Sequence, residues 1–373
     1  MRRKALLCAI VAFAACLAGF AAGGDNVINY YTDGSDNVRI VWEAVIDAFN
    51  KKNTGVTVNL QYLASGSGGQ TGADKLIAAV KAGAKNVDID ILEVDASRVV
   101  RIQKEAGPNA LLKLDMTKVP NSKSLVAKSI VAPEYVMPYR GTAVFIAYNS
   151  AKVPTPPKTV GDLTAWIKSH PGRFAYNDPA TGGAGGAYVR TSVYNYLPAE
   201  ALLSDDEKWM AQWDKGLAYL AEIHPFLYKA SGKVQYTVKN QGSLDLLAAG
   251  SIDMCPAWAD QVLDQKSKGL LPASIMLAQI DPALTGNWAM LAVPGTCAKT
   301  AAVYKFLDFV ASNEAQDIFV KVMKAIPVVD PAKLPADTMA MLSGLKAVYR
   351  AQTIGGLETK LNQRWTQEIS TLP

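Results

Sequence analysis

Apolar residues near the start of the chain recur with two different periods. Residues 27–31 form a mostly apolar run that predicts a strand, and residues 32–36 are polar and typical of a turn. The next apolar residues lie three and four positions apart, as on one face of a helix: Val38, Val41, Trp42, Val45, Ile46 and Phe49. Apolar and polar residues then alternate over 56–62, which predicts a second strand. Strand, helix and strand with short connections indicate a βαβ unit with parallel strands.

The same alternation of strands and helices continues as far as Gly107. Residues 73–84 favour a helix, the stretch VDIDILEVDA a third strand, and residues 97–106 another helix that ends at this glycine. In an open parallel sheet, ligands bind outside the carboxyl ends of the strands, where the connecting loops meet. The loops at that edge are small and polar here: YTDGSD, ASGSGGQT and VDAS. The pattern therefore predicts a binding cleft at this edge of the sheet.

The middle of the chain begins afresh with an apolar strand over 143–148, followed by a cluster of prolines. We interpret this strand as a crossing between two lobes, after which a helix opens near Thr159. The stretch RFAYNDPATGGAGGAYVR predicts a strand, a glycine-rich loop and a helix, and GSLDLLAAGSIDMCPAW predicts a helix and a strand ending at Trp258. NWAMLAVPG adds a strand, and helices over 303–310 and from near Ser312 follow. IPVVDPAKLP predicts a second crossing, and the remainder favours helix.

The first residues have the layout of a secretory signal, because three basic residues precede a short apolar run over 5–22. Gly19 and Ala21 suit the positions before a cleavage site, which predicts a signal peptide of residues 1–21 and export to the periplasm. The alternative is a lipid anchor on Cys16, since FAAC resembles a lipobox; the residues that follow are apolar where a tether is usually polar. A membrane span needs about 20 apolar residues, and this run is shorter.

Composition removes several classes of function. Without the three basic residues of the leader, the formal charge falls from +5 to +2, and no basic stripe indicates nucleic acid as a partner. The mature chain has about 350 residues, enough for two domains of roughly 100–200 residues each. The only histidines, His170 and His224, each precede a proline and are expected in surface turns. We therefore expect no histidine-based triad, no zinc site and no cofactor.

A glycine-rich stretch, NDPATGGAGGAYVR, is the most unusual local feature of the sequence. Glycine lets backbone N–H groups approach a ligand closely, and at the start of a helix those groups are unpaired and favour an anion. An oxyanion of a ligand would therefore fit beside these residues: Thr181, Gly182, Gly183, Gly185 and Gly186. The alternative is a tight turn that contacts no ligand. No Gly-Lys-Ser or Gly-Lys-Thr follows, so the stretch is not a P-loop.

Polar residues at the ends of the first three strands are further candidates for ligand contact. They are Tyr31, Thr32 and Asp33 after the first strand, Ser65 and Ser67 after the second, and Asp95 and Ser97 after the third. Each of them is equally suited to a local capping or turn role. A carboxylate at Asp33 would instead hold a cation, which would make the solute zwitterionic or cationic.

Four stretches of the sequence resemble segments of one known family, and they occur in the same order: DIDILEVDASRVVRIQKEAG, GTAVFIAYNSAKVPTPPKTVGDLTAW, LLAAGSIDMCPAW and AAVYKFLDFVASNEAQDIF. Over nearly the whole mature chain the sequence is similar to the extracellular solute-binding proteins of ABC importers, family 1, with the type II periplasmic fold. The resemblance implies two α/β lobes, each with a mainly parallel central sheet flanked by helices, joined by hinge strands around one ligand cleft. On this pattern, lobe I comprises residues 25–143 and 282–325, and lobe II residues 144–281 and 326–373.

The resemblance also implies roles for aromatic residues. Trp258 ends a strand that often brings a ring to the cleft in this family, where the ring either stacks on the ligand or packs against its own lobe. Tyr188 and Trp288 are further candidates. Tyr194 and Tyr196 resemble the tyrosine pairs of ferric-binding members, but they are not adjacent and no histidine accompanies them. We therefore expect an organic solute rather than a metal.

The function implied is that of a periplasmic receptor that captures a small organic solute and delivers it, as a monomer, to an ABC permease in the inner membrane. Cys255 and Cys297 would lie in opposite lobes, either as a disulfide or as two small buried thiols. One alternative is an exported α/β hydrolase or transferase, which would need a nucleophile with a base; the sequence has no Gly-x-Ser-x-Gly elbow. Another is a sensor subunit that presents a ligand to a receptor.

Overall fold

The computed structural model describes residues 26–64, 67–342, 345, 350, 354 and 356–373. The strands in this part of the chain are β1 (Val27–Gly34), β2 (Thr57–Ala64), β3 (Ile91–Val94), β4 (Val136–Asn149), β5 (Lys229–Ala230), β6 (Lys233–Val234), β7 (Met254–Trp258), β8 (Ile275–Ala278) and β9 (Gly286–Ala292). The α-helices of the first half are α1 (Asp36–Lys51), α2 (Gly72–Lys81), α3 (Ala96–Ala106), α4 (Val160–Ser169) and α5 (Gly183–Tyr194). Those of the second half are α6 (Asp214–Ile223), α7 (Lys239–Ala248), α8 (Ala259–Ser267), α9 (Thr300–Val310), α10 (Asn313–Met323), α11 (Ala336–Ala340) and α12 (Leu357–Glu368).

The main sheet has the order β2-β1-β3-β9-β4-β7, with β8 also paired to β4. β1 runs parallel to β2 and β3, which confirms the βαβ unit predicted from periodicity. β9 is antiparallel to β3 and β4, and β4 is antiparallel to β7 and β8. The fold is therefore α/β as predicted, but its sheet is mixed rather than mainly parallel. The parallel pairs are those connected by helices, and the later strands return beside β4 in the opposite direction.

α1 shows why the periodicity of the sequence was informative. The six apolar residues at spacings of three and four are the six that this helix buries, and Trp42 is fully buried. Its ring lies 4.5 Å from that of Tyr30 on β1 and 5.1 Å from that of Phe319 on α10, measured between centroids. Burial of a large apolar side chain stabilises the fold by roughly 1.5–3 kcal/mol, so this stripe anchors α1 to the sheet.

Two large hydrophobic cores give the molecule two lobes, and β4 passes from one to the other. The core of the first lobe includes Tyr30, Trp42 and Met137, and that of the second includes Val144 and Ile146. Both sets of β4 residues therefore belong to one continuous strand, as expected for a connection between lobes. Because both lobes share this strand, a cavity that opens beside it receives residues from both.

The segment after α10 was expected, as part of residues 326–373, in the second lobe. Its first part packs between elements of both lobes, because Val329 and Leu334 pack with Val320 of α10, and both Leu125 of the first lobe and Leu263 of α8 lie beside them. In the later part, Leu361 and Trp365 of α12 belong to the core of the second lobe. The division of the chain after α10 stays a prediction.

Two local predictions differ from the structure, and two are confirmed. The strand expected before the glycine-rich stretch is present only as the isolated bridges of Phe174 with Met254 and Asn177 with Thr237. The glycine-rich stretch is not a loop, because α5 already begins at Gly183. α4 begins with a capping box at Thr159, and the Ser312 side chain caps α10, both as expected. Among the helices in the described residues, none has the length and apolar character needed to cross a membrane.

Candidate functional site

A cavity of about 260 Å³ opens at the carboxyl ends of β1 and β3. Asp33, Glu93 and Arg98 line it from the first lobe, and Trp258 and Asp260 line it from the second. Arg140 and Thr142 of β4, together with Gly183 and Asn240, complete the part of the wall that bears on function. The cavity therefore lies where the topology of the sheet predicted a cleft, with walls from both lobes.

Asp33 forms a two-point ion pair with Arg98. Arg98 Nη1 and Nη2 lie 2.6 and 2.7 Å from the two carboxylate oxygens of Asp33. Asp95 caps α3 by accepting a 2.8 Å hydrogen bond from the Arg98 backbone N–H. Burial acts to lower the pKa of Arg98, but the neighbouring Asp95 and Asp33 carboxylates outweigh it and raise that pKa, so the guanidinium stays charged. This pair ties the end of β1 to α3.

Glu93 and Arg140 form a second, more deeply buried pair. Arg140 Nη2 lies 3.5 Å from Glu93 Oε1, and both side chains are more than nine-tenths buried. The hydroxyl of Thr32 donates a hydrogen bond to Glu93 Oε2, and Arg140 Nε donates one of 3.1 Å to the hydroxyl of Tyr139. Burial raises the pKa of Glu93, although Arg140 and Thr32 oppose this shift. A buried ion pair of this kind needs such additional hydrogen bonds to persist.

Asp260 is the remaining buried carboxylate of the cavity. It lies in the first turn of α8, and it accepts a 3.1 Å hydrogen bond from the hydroxyl of Thr142. Its exposed fraction is 7%, and burial raises its pKa although Arg140 lowers it. With Asp33, Glu93 and Asp95, four carboxyl groups line this cavity against the two guanidinium groups of Arg98 and Arg140. The lining is therefore richer in acidic than in basic groups.

Trp258 separates this cavity from a smaller one. The residue ends β7, is partly buried and packs beside the first residue of α5. A neighbouring cavity of about 170 Å³ shares Trp258, Gly183 and Asp95 with the first, and adds Arg190 and Glu358. The ring thus lies in the cleft, where the resemblance places it. Its contact with a ligand stays a prediction.

Two backbone amides of the glycine-rich stretch are bonded to side chains, so the expectation of uncapped amides is wrong for Ala184 and Gly185. The Ala184 N–H donates a 3.0 Å hydrogen bond to Asn240 Oδ1, and the Gly185 N–H donates one of 2.8 Å to Asn177 Oδ1. The Gly186 N–H bonds to the carbonyl of Gly182 at 3.2 Å. Two asparagine side chains, distant in sequence from the helix start, thus take the place that an oxyanion was expected to fill.

Within the glycine-rich stretch, the structure brings only Gly183 to the cavity. Gly182 and Gly185 pack against asparagine residues, because a Cβ on either would lie within 3 Å of Asn240 or Asn177. Gly186 does not line the cavity. The close packing of the helix start against its own lobe, rather than contact with a ligand, accounts for the absence of side chains at positions 182 and 185.

Two further candidates of the second lobe are also structural. The hydroxyl of Thr181 donates to the carbonyl of Asp178 at 2.9 Å and accepts from the Lys239 N–H at 3.0 Å. Tyr188 is buried in the core, with its hydroxyl 3.0 Å from that of Tyr219. Neither lines the cavity. Thr181 lies in the turn before α5, and Tyr188 lies on the buried face of α5, so neither side chain reaches the cavity.

Some of the candidate residues at the strand ends of the first lobe line the cleft, and others do not. Asp33, Asp95 and Ser97 line the cleft, the last of them in the smaller cavity. Thr32 does not line the cavity, and its hydroxyl donates a hydrogen bond to Glu93 Oε2. The Tyr31 ring lies on another face of the sheet, 4.9 Å from the Lys75 ammonium. Ser67 is exposed after β2 and away from the cavity, and Ser65 lies outside the described residues.

Sequence reasoning missed most of the charged residues of the site and one of its amide side chains. Glu93, Arg98, Arg140, Asp260 and Asn240 line the cavity, and none was a candidate. A signal existed for two of them, because Glu93 interrupts the apolar run ILEV and Arg140 stands within the apolar strand MPYRGTAV. Burying a charge is costly unless it is paired, so charged residues within apolar strands indicate a partner or a ligand.

The tyrosines and histidines considered as metal ligands do not line the cavity. Tyr194 is buried and Tyr196 is 47% exposed, and the described residues contain no group of three or more histidine, cysteine or acidic side chains arranged to hold a metal ion. His170 is exposed as expected, but His224 is buried, with Nδ1 2.8 Å from the Tyr236 hydroxyl. That expectation was wrong because the proline after His224 ends a buried helix.

Cys255 and Cys297 are free thiols in this structure. Cys255 is buried in the second lobe, whereas Cys297 packs against the core of the first. Burial raises the pKa of Cys255 to about 12 and that of Cys297 to about 11. The structure thus has the two-thiol arrangement rather than the disulfide, and both thiols are weakly nucleophilic.

The sequence and the fold are both similar to those of known proteins. A sequence model of the bacterial extracellular solute-binding proteins matches residues 44–346. No curated protein matches the sequence. Solved structures with the same fold at low identity include the three described next. The Trichodesmium protein IdiA (FutA), in complex with iron and citrate, is 19% identical, with a TM-score of 0.64 over 91% of this chain and 98% of that chain.

The other two are named for different ligands. A periplasmic thiamin binding protein is 15% identical, with a TM-score of 0.64 over 92% of this chain and 96% of that chain. The Atu4243 GABA receptor is 19% identical, with a TM-score of 0.66 over 93% of this chain and 99% of that chain. At these identities the likeness concerns the fold alone, and the fold does not select a ligand.

Proposed function

The chain belongs to the bacterial extracellular solute-binding proteins, and we propose that it captures a small organic solute in the cavity beside Trp258. Its fold is that of the type II periplasmic binding proteins, and proteins of this family bind small-molecule ligands and deliver them to ABC permeases. They are receptors rather than enzymes. In this proposal the protein binds its solute and carries out no covalent step on it.

One observation carries the proposal: the cavity receives side chains from both lobes. Asp33 and Arg98 stand on one side, Trp258 and Asp260 on the other. A solute that contacts both sides binds the closed arrangement better than an open one. It therefore shifts the population toward closure, by as much as its affinity for the two states differs.

The proposal extends to location and partners. Residues 1–21 act as a signal peptide, and the mature chain works in the periplasm as a monomer, with a permease of the inner membrane as its partner. A lipid on Cys16 is the alternative form of the same receptor. The lobes follow the division given above, 25–143 with 282–325 and 144–281 with 326–373.

The experiment is a thermal-shift screen of the purified protein against a metabolite library, followed by small-angle scattering with the solute that raises Tm most. A ligand that binds only the folded state raises Tm. The proposal predicts a fall in the radius of gyration at saturation, because the lobes close. A solute that raises Tm but leaves the radius of gyration unchanged would contradict closure, and no response to any class of solute would contradict the function.

A further inference from the structure

We infer that the solute carries a positively charged nitrogen, which binds between the Asp260 carboxylate and the ring face of Trp258. The inference rests on the proposed function, since it names the chemical class of the solute for the same cavity. It replaces the oxyanion expected from the glycine-rich stretch.

The first support is the charge left over after the ion pairs are formed. Arg98 is matched by Asp33 through two short contacts, and Arg140 lies against Glu93. In the described part of the chain, the Asp260 carboxylate forms no ion pair with a Lys or Arg within 4.0 Å, and it accepts hydrogen bonds from the Thr142 hydroxyl and from the backbone N–H groups of Asp260 and Gln261. Among the described residues, Asp260 is therefore the carboxylate of this cavity that has no ion pair, whereas Asp33, Asp95 and Glu93 each have one.

The second support is the position of Asp260. It is more than nine-tenths buried and yet lines the cavity together with Trp258, two residues before it. A carboxylate removed from water in this way gains most from a partner of opposite charge. Arg140 provides part of that field, but it already serves Glu93 and Tyr139. A cation in the cavity would supply the missing partner.

Trp258 provides the third support. An indole ring attracts a cation placed over its face, and the attraction is larger where water is excluded. The ring borders both cavities, so a solute bound in either can lie against it. In the smaller cavity, Asp95 and Glu358 outnumber Arg190, so there too the acidic groups are in excess.

The competing solutes fit less well. An anion would meet four carboxyl groups, and the Ala184 and Gly185 amides that would have received it are bonded to asparagine side chains. A neutral sugar would stack on Trp258 but leave Asp260 without a counter-charge. Like charges in one site are unfavourable, so the balance of the lining favours a cation.

The first test sorts ligands by charge. Thermal shift is measured with putrescine, agmatine and tetramethylammonium as cations, 4-aminobutyrate as a zwitterion, succinate and phosphonoacetate as anions, and glucose as a neutral solute, alongside a library sorted in the same way. The inference predicts that the solutes that raise Tm carry a cationic nitrogen. Binding of anions or neutral solutes only would overturn the inference and leave the proposed function intact. No binding by any class would overturn both.

The second test uses two matched carboxylates of α8. Asp260→Asn keeps the shape of the side chain and removes its charge. Asp264→Asn does the same one turn later, where Asp264 is also buried but pairs with Lys268 at 2.7 Å and does not line the cavity. Calorimetry with the best cation should give a dissociation constant at least about tenfold larger for Asp260→Asn and nearly unchanged for Asp264→Asn. Equal affinities of both variants and the parent would overturn the inference.

Discussion

The indole ring of Trp258 lies against Gly183, so closely that a Cβ built on this glycine would be 3.0 Å from Cζ2 of the ring. The two residues come from different elements, the end of β7 and the start of α5, and both line the two cavities of the cleft. The missing side chain at position 183 is therefore what allows the ring to lie where it does. This close contact with the ring is the role that the structure gives to the glycine.

Gly183→Ala should weaken solute binding without destabilising the fold. The added methyl group requires the Trp258 ring to shift by a few tenths of an ångström, whereas alanine improves helix propensity by up to about 1 kcal/mol. We expect a several-fold rise in the dissociation constant by calorimetry and an unchanged or higher Tm. Gly186→Ala is the control, because its Cβ would lie at an ordinary contact distance of 3.4 Å from the nearest atom and Gly186 lines neither cavity. A similar loss of affinity in both variants would contradict the role of the ring contact.

Gly185→Ala should have the opposite profile, with loss of stability as the primary effect. Its Cβ would lie 1.9 Å from the backbone oxygen of Asn177, and backbone yields less readily than a side chain. We expect the free energy of unfolding to fall by about 1–3 kcal/mol or more, measured by urea denaturation. Gly186→Ala again serves as the control in the same helical turn. A stability equal to that of the parent would show that the helix start is less tightly packed than the structure indicates.

The fold was largely predictable because it rests on local periodicity. The buried face of α1, the parallel pairing of β1 with β2 and the capping residues of α4 and α10 all follow from patterns within about 20 residues. The course of residues 326–342 was not predictable in this way. Their packing beside Leu125 depends on contacts between segments far apart in sequence.

The site was predictable in position but not in chemistry. Loops at strand ends indicated the cleft, and Asp33, Asp95 and Trp258 do line it. The occupied amides were missed because Asn177 and Asn240 reach the start of α5 through tertiary contacts, which no spacing in the sequence reveals. The excess of acidic groups was missed for the same reason, since it appears only when separate strands and helices bring their charges together.

Binding of a cationic solute should weaken as the pH falls. Burial raises the pKa of Asp260, which faces Arg140 and Thr142, and that of Glu93, which faces Arg140, Thr32, Tyr30, Asp33 and Arg98. A bound cation favours the ionised carboxylates and so lowers these pKa values. The affinity for the cation is therefore complete above the pKa values of Asp260 and Glu93, and it is lost as the pH falls through them. Because burial raises these pKa values, the loss occurs above the ordinary range of a carboxyl group, near 4.

The measurement is calorimetry of the best cation from about pH 8 down to the limit of folding. The parent protein should show a dissociation constant that rises on acidification, and Asp260→Asn should show a flatter profile because the principal titrating group is gone. Affinity that rises on acidification, or profiles of equal slope, would contradict the assignment of the cation to this carboxylate.

Whether the solute binds against Trp258 is tested most directly by calorimetry of Trp258→Ala with the solute that raises Tm most. Trp166→Ala is the matched control, because Trp166 stacks on His170 at 4.4 Å and does not line the cavity. We predict a dissociation constant at least about tenfold larger for Trp258→Ala, since loss of a stacked or cation-binding ring costs more than about 1.4 kcal/mol in a desolvated site. The control should bind as the parent does. Unchanged affinity of Trp258→Ala, with the fold intact by circular dichroism, would contradict the placement of the site in this cleft.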